Sequence, residues 1–166
     1  MSWYDRATIR PATARDARFM SVLEHESPSA AHWTKQQYAD LFAPAEGSAE
    51  RLALVARATR TYASEPKSVD VFMGFLVARH VPPEWELENI VVAPGASRKG
   101  LGRRLVDSLL ARAREKNSEA VFLEVRESNL PARSLYQQAG FEIIGRRKSY
   151  YTNPPEDAVL YRLRLA

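Results

Sequence analysis

The sequence predicts an α+β protein in which a mixed, mostly antiparallel sheet of about seven strands carries helices on both faces, an α/β/α layered arrangement. Apolar patterns of strand and helix period succeed each other in the order strand, two helices, three strands, helix, strand, helix, two strands. The 166 residues, of which 45% are hydrophobic and 27% charged, also have the size and composition of one globular unit. Residues 1–166 are therefore interpreted as a single domain.

The first half of the chain contains two capping boxes. Residues 8–11 form a short strand pattern that ends at a proline, and the capping box Thr13–Asp16 predicts the start of the first helix. A second capping box, Thr34–Gln37, predicts a short helix, and Trp33 precedes it in the position of a hydrophobic staple. A structural role of Trp33 is therefore the alternative to contact with a substrate. Strands are predicted at 52–56, 71–78 and 85–92, with the polar residues 59–70 as a mobile turn.

The second half alternates helices and strands. Leu101, Leu105 and Leu109 share one face of a predicted helix, which a strand at 120–125 follows. A short helix is predicted to open at Asn129-Leu130-Pro131 and to close at Gly140. The last two strands are predicted at 141–144 and 159–165.

Residues 89–110 place a strand, a basic glycine-rich loop and a helix in immediate succession. This order offers backbone N–H groups to phosphate oxygens. A helix N-terminus carries partial positive charge, so the cations Arg98, Lys99 and Arg103 are unfavourable there unless an anion binds. Gly100 and Gly102 would let the backbone approach that anion closely. The alternative is a solvated basic turn.

Three residues after this helix are candidates for chemistry. Glu124 lies in an otherwise apolar strand, where burial is expected to raise the pKa of its carboxyl toward that of a general base. Its alternative is a structural ion pair with Arg126 on the same strand face. The Tyr136 hydroxyl is a possible general acid, although a tyrosine in this position is more often a core aromatic. Asn129 has the alternative role of a plain helix N-cap.

The loop and the candidate residues resemble a known family. Gly100-x-Gly102 with its basic neighbours resembles the acyl-CoA loop of the GNAT N-acetyltransferases, Gln/Arg-x-x-Gly-x-Gly/Ala, although Ser97 stands at the first position. The segment Glu124 to Asn129, followed by Leu135-Tyr136 and Gly140-Phe141, resembles the RimI-type members. The tail Arg146-Arg147-Lys148-Ser149-Tyr150-Tyr151, the later Glu156-Asp157-Ala158 and the Trp33-Thr34 pair are similar to that group as well.

The resemblance implies a GNAT fold and transfer of acetyl from acetyl-CoA, in a ternary complex, to the N-terminal alanine of a small-subunit ribosomal protein. It makes Glu124 the general base and Tyr136 the general acid. It assigns the pantetheine arm to backbone groups of Ile90 and Val92 and to Asn129, the pyrophosphate to Arg98, Lys99, Gly100, Leu101, Gly102 and Arg103, and the peptide-end pocket to Trp33, Tyr150 and Tyr151. Glu86 and Glu88, which share a strand face by period two, are the alternative bases; a solvated face is their other interpretation.

Composition limits the remaining functions. With no cysteine and only three histidines, the sequence predicts no disulfide, no cysteine nucleophile and no metal site. The net charge of +4 permits an anionic partner, but no nucleic-acid-binding motif accompanies it, so stable nucleic-acid binding is not expected. The absence of a long apolar run or a signal-peptide pattern predicts a cytoplasmic protein without membrane contact.

Several alternatives stay open. The acceptor amine is the N-terminus of a protein, a lysine or a small molecule, and the protein is a monomer or a homodimer. Non-enzymatic alternatives are an acyl-CoA sensor and an RNA-binding module.

Overall fold

The computed structural model describes residues 2–165, which form one seven-stranded sheet with helices on both faces. The strands are β1 (Thr8–Pro11), β2 (Arg51–Thr61), β3 (Ser68–Val81), β4 (Glu84–Val92), β5 (Ala120–Arg126), β6 (Glu142–Thr152) and β7 (Pro155–Arg164). The helices are α1 (Ala17–His25), α2 (Lys35–Asp40), α3 (Leu101–Glu115) and α4 (Leu130–Gln138), with short 3-10 turns at Trp3–Arg6, Ala14–Asp16 and Pro94–Ala96. No helix within 2–165 is long and apolar enough to span a membrane.

The sheet has the order β1-β2-β3-β4-β5-β7-β6. Every neighbouring pair is antiparallel except β4 and β5, which confirms the predicted mixed, mostly antiparallel sheet. The parallel pair joins only Glu84–Glu86 to Ala120–Phe122. Beyond these residues β4 and β5 diverge, and a cleft opens between them.

Two apolar cores lie on opposite faces of the sheet. Successive residues of a strand point to opposite faces, and in β3 Leu76 packs into one core while Phe75 packs into the other. Helices α3 and α4 cover the first core, to which Leu105, Leu109 and Tyr136 belong. Helices α1 and α2 cover the second with Met20, Leu23 and Tyr38. This arrangement confirms the predicted helices on both faces.

The β2–β3 hairpin is longer than predicted. Residues 59–61 and 68–70 are paired strand residues rather than a mobile turn, and only 62–67 form the connection. Both faces of the hairpin are exposed to solvent near this end. The polar side chains there therefore indicate exposed strands and not an unpaired turn. An ion pair between Arg57 Nε and Asp70 Oδ2 at 2.7 Å ties the two strands together.

The last two strands also extend beyond their predicted bounds. The prediction of 141–144 for β6 is too short, because the polar residues 145–152 continue the strand at the edge of the sheet, where most side chains are exposed. Phe141 precedes the strand and is buried in the first core. β7 likewise begins at Pro155 rather than at 159.

Asp16 is a buried residue whose contacts go beyond its predicted capping box. Its Oδ2 accepts from the Thr13 N–H at 2.8 Å, which confirms the capping box. The carboxylate also accepts hydrogen bonds from Arg10 at 2.7 and 3.1 Å and from Arg57 at 3.3 Å. Burial acts to raise the pKa of Asp16, but the hydrogen bonds from Arg10 and Thr13 outweigh it and the pKa is lowered.

Asp16→Asn is expected to lower the free energy of unfolding by about 2–3 kcal/mol at pH 7, less than for a fully buried pair because Arg10 is partly exposed. A lowered folded-state pKa stabilises the protein above the unfolded carboxyl pKa of about 3.9, and this stabilisation is lost as the pH falls through the folded value. The difference from the wild type should therefore narrow below about pH 4. Urea unfolding at pH 7 and pH 3.5 measures both effects. Glu26→Gln, at an exposed position, is the control; equal midpoints for Asp16→Asn and wild type at pH 7 would contradict the prediction.

Candidate active site

The cleft where β4 and β5 diverge has a volume of about 1110 Å³. It is bounded by β4, by the loop between α1 and α2, by the loop before α3, and by β5, α4 and β6. Of the residues that the sequence assigns to a site, it is lined by Trp33, Glu86, Glu88, Ile90, Val92, Arg98, Gly100, Gly102, Arg103, Glu124, Asn129, Tyr136, Tyr150 and Tyr151. Lys99 and Leu101 do not line it.

A bulge shapes the β4 wall. Val77 of β3 pairs with Asn89, whereas the next residue, Ala78, pairs with Leu87, so Glu88 is an extra residue. After the bulge the strand presents its odd-numbered positions to the opposite face: Leu87 packs into the first core and Val91 into the second. Because β5 pairs with β4 only as far as Glu86, the β4 edge beyond it has no strand partner within residues 2–165. That free edge includes Ile90 and Val92.

The loop before α3 and the first turn of α3 present a row of unpaired backbone donors. Arg104 N–H donates to the Gly100 carbonyl, and this is the first hydrogen bond of the helix. Among residues 2–165, none of the backbone hydrogen bonds outside regular elements is donated by the N–H groups of residues 98–103. Arg98 and Gly100 both have positive φ, 59° and 78°, and alternation of this kind turns successive N–H groups into a concave anion site.

The basic side chains of the loop fall into two groups. Arg98 and Arg103 line the cleft, and Arg103 is held by Asp107 at 2.9 Å and by the Gln138 carbonyl at 2.9 Å. Lys99 instead lies 4.6 Å from the ring centre of Tyr4, and the side chain of Leu101 is in the first core. The predicted contacts of Lys99 and Leu101 with a bound anion therefore have no support from the lining of the cleft.

Glu124 projects from β5 into the cleft with 17% of its side chain exposed. Its Oε1 lies 2.9 Å from Nε of Arg147, which reaches it from β6 across the intervening strand β7. The expected alternative partner was wrong: Arg126 pairs with Glu156 at 3.4 Å and covers the ring of Tyr151 at 4.2 Å. A hydrogen bond with Glu124 is the main cause that raises the pKa of Tyr150.

Tyr136 is both a core aromatic and a cleft residue. Its side chain is buried against Phe141 and Tyr161, with ring centres 5.8 and 6.1 Å away. Its hydroxyl forms no hydrogen bond among residues 2–165, although the residue lines the cleft. Burial, with a smaller effect of Tyr151, raises the pKa of Tyr136 well above its ordinary value, so the hydroxyl keeps its proton at neutral pH.

Asn129 is the N-cap of α4, and its Oδ1 accepts from the Ala132 N–H at 3.3 Å. The structural role therefore holds, but it occupies only the oxygen of the amide. The residue also lines the cleft, so its amide nitrogen remains for a ligand.

Glu86 and Glu88 are not a freely solvated strand face. Glu86 pairs with Arg79, and Glu88 accepts two hydrogen bonds from Arg51 at 2.9 and 3.2 Å. Oε1 of Glu88 also lies 3.8 Å from Nε of Arg79. Both carboxylates are therefore on the side of β4 that Arg79 covers.

Aromatic residues surround the other end of the cleft. Trp33 packs on Tyr38, with ring centres 5.5 Å apart, so its predicted staple position and its cleft position coexist. Tyr150 is half exposed and stands perpendicular to Tyr151. A second, smaller cleft is lined by His32, Arg126, Tyr150, Tyr151, Thr152 and Asn153, four of which also line the first.

Two features of the site have no counterpart in the sequence prediction. One is the Arg147–Glu124 ion pair, and the other is a buried hydrogen-bonded cluster of Glu24, Tyr38 and Asn89. Glu24 lies four residues after Met20, which puts it on the buried face of α1, and Asn89 is a polar residue in an apolar strand run. A polar residue on the buried face of a helix and another within an apolar strand are the sequence signals that could have indicated this cluster.

The model of the acetyltransferase (GNAT) family matches residues 19–141, and the chain belongs to this family. It is 39% identical over 82 residues to the ribosomal protein bS18-alanine N-acetyltransferase of Haemophilus influenzae. This match covers 49% of the chain and 56% of that relative, and a match to the Escherichia coli enzyme of the same name (36% identity) covers 56% of the chain and 64% of the relative. The matches thus span less than two thirds of these relatives.

Similarity to solved structures extends over more of the chain than the sequence matches do. The crystal structure of the Escherichia coli ribosomal-protein-S18-alanine N-acetyltransferase has a TM-score of 0.72 at 26% identity, covering 96% of this chain and 94% of that one. Arabidopsis thaliana NAA60 in complex with acetyl-CoA has a TM-score of 0.81, covering 96% and 98%, but at 15% identity it shows the fold alone. The predicted GNAT fold is therefore confirmed.

Proposed function

We propose that this protein transfers an acetyl group from acetyl-CoA to the N-terminal α-amino group of a protein, with a chain that begins with alanine, such as a ribosomal protein, as the acceptor. The observation that carries the proposal is that Glu124 and Tyr136 line the same cleft as Arg98, Gly100, Gly102 and Arg103, whose backbone N–H groups are unpaired within residues 2–165. Family membership and the names of the relatives support it.

The residues of the cleft fit acetyl-CoA. The unpaired N–H groups of Arg98, Gly100, Gly102 and Arg103, together with the two arginine side chains, suit the two negative charges of a pyrophosphate. The unpaired edge of β4 at Ile90 and Val92, together with the amide nitrogen of Asn129, suits the amides of a pantetheine arm. Bound acetyl-CoA supplies the acetyl group as a thioester.

Proton transfers are assigned to two side chains. An N-terminal amine has a pKa near about 8 and is largely protonated at neutral pH, so it needs a base before it can attack. Glu124 takes that proton at its carboxylate, directly or through water. Tyr136, whose raised pKa keeps the hydroxyl protonated, gives its proton to the sulfur as the C–N bond forms and the C–S bond breaks, and the second proton of the acceptor nitrogen passes to the tyrosinate or to water. The chain has no cysteine that could hold the acetyl group, which favours direct transfer.

A polypeptide acceptor suits the shape of the site. The second cleft continues from the first past His32, Tyr150 and Asn153, which leaves room for the residues that follow an acceptor's first residue. A small-molecule amine would need only the inner cleft. A lysine acceptor is the other alternative within the family.

Mass spectrometry after incubation with acetyl-CoA tests the proposal. A peptide with a free N-terminal alanine and one lysine should gain a single acetyl group at the α-amine. The same peptide with a blocked N-terminus should gain none, and small primary amines should react poorly. Acetylation confined to the lysine or to small amines would refute the N-terminal acceptor, and binding of CoA without any transfer would refute the activity.

A further inference from the structure

Glu24 is a buried carboxylate with an unusual set of partners. It lies in the last turn of α1 with 2% of its surface exposed. Its Oε1 accepts from the backbone N–H of Trp33 at 2.9 Å and from Nδ2 of Asn89 at 3.0 Å, and its Oε2 accepts from the Tyr38 hydroxyl. It forms no ion pair within residues 2–165. Burial of a carboxylate without a cation is costly, and these three donors are what offsets the cost.

The three donors come from three separate elements. Tyr38 belongs to α2, Trp33 to the loop between α1 and α2, and Asn89 to β4 directly after its extra residue Glu88. Burial and the neighbouring Glu24 strongly raise the pKa of Tyr38, so its hydroxyl stays a donor. The carboxylate therefore joins both helices of this face to the strand that forms one wall of the cleft.

The loop that Glu24 holds lines the cleft through Ser27, Ser29, Ala30, Ala31, His32 and Trp33. Ser27 at its start is hydrogen-bonded to the Leu23 and Glu24 carbonyls, and Ala30 and Trp33 pack against the second core, but the rest of the loop has few hydrogen bonds. Ala30 N–H donates to the Ser27 carbonyl and His32 Nε2 contacts the Pro28 carbonyl, but both of these lie within the loop. Among the described residues, the Trp33–Glu24 bond is the one hydrogen bond that ties 31–33 to the rest of the molecule.

We propose that Glu24 is a positioning residue: its carboxylate fixes the 27–33 loop against β4 and thereby sets the shape of the acceptor end of the cleft. Glu24 itself does not line the cleft, so it acts through Trp33 and its neighbours. The role in acceptor binding rests on the proposed function. The attachment of the 27–33 loop by the Glu24 carboxylate, hereafter called the clamp, does not.

Glu24→Met keeps a side chain of similar length but cannot accept the three hydrogen bonds. We expect the KM for the acceptor peptide to rise about tenfold, because the acceptor wall is no longer held in one geometry. The KM for acetyl-CoA and kcat should change less than about twofold, because the 98–103 loop is untouched. Glu24→Gln retains an oxygen for the Trp33 N–H and should restore most of the acceptor affinity. Glu26→Met, two residues away and exposed, is the matched control.

Amide hydrogen exchange supplies a readout that does not depend on activity. In the wild type, the Trp33 amide should be the most protected of residues 29–33, and Glu24→Met should accelerate its exchange by about tenfold or more. Fast exchange of Trp33 in the wild type would overturn the clamp even if Glu24→Met does not fold. Faster exchange in the variant with an unchanged acceptor KM, or equal increases in both KM values, would overturn the acceptor role. If the wild type acetylates no amine, the proposed function fails, and exchange alone decides the clamp.

Discussion

Glu124→Gln is expected to lower kcat for an N-terminal acceptor by about 10²–10³-fold while leaving the affinity for CoA nearly unchanged. The amide has almost the size of the carboxylate but cannot take the proton of the acceptor amine. The backbone donors of residues 98–103 are not altered, so cofactor binding should persist. Steady-state kinetics with the alanine peptide, together with calorimetric titration of CoA, measure the two quantities separately.

Three further variants test whether the loss of kcat is specific to the Glu124 carboxylate. Glu86→Gln and Glu88→Gln remove the other two carboxylates of the cleft, and each should change kcat by less than about fivefold. Arg147→Gln breaks the ion pair with Glu124 but keeps the carboxylate, so a small effect would show that the base and not the pair matters. A large loss in Glu86→Gln or Glu88→Gln, with an active Glu124→Gln, would place the base on β4 instead.

Tyr136→Phe is expected to lower kcat by about 10²-fold, because only the proton donor for the leaving sulfur is removed. The hydroxyl has no hydrogen-bond partner among residues 2–165, so the free energy of unfolding should hardly change. Its raised pKa means that the wild-type hydroxyl stays protonated above pH 10, and the wild-type kcat should therefore not fall between pH 8 and pH 10 through loss of this proton.

Tyr161→Phe is the control for Tyr136→Phe. Its ring is 6.1 Å from that of Tyr136, but its hydroxyl accepts from Arg133 at 3.0 Å and it does not line the cleft. It should lose about 1 kcal/mol of stability and keep its turnover. Full activity of Tyr136→Phe, or equal loss in both variants, would remove Tyr136 from the role of general acid.

Residue spacing was sufficient to predict the features that depend on neighbours a few residues apart. The capping box at Thr34 and Gln37, the N-cap at Asn129 and the apolar face of Leu101, Leu105 and Leu109 all appear as predicted. Each rests on contacts within about one or two helical turns, which residue spacing fixes directly. The mixed α+β sheet followed from the order of such elements, and the GNAT fold followed from the family resemblance.

Contacts between residues far apart in the sequence are set by the packing of the whole fold. Sequence proximity suggested Arg126 as the partner of Glu124, but the partner in the structure is Arg147 of β6. β6 lies one strand beyond β7, and the small Ala158 of β7 stands opposite Arg147, so the arginine side chain can reach across β7 to Glu124. Because Glu88 is an extra residue in β4, the side chains that follow it point to the opposite faces of the sheet. Asn89 therefore reaches Glu24, which lies 65 positions earlier in the sequence. Strand order and bulges depend on packing of the whole sheet, so residue spacing alone does not encode them.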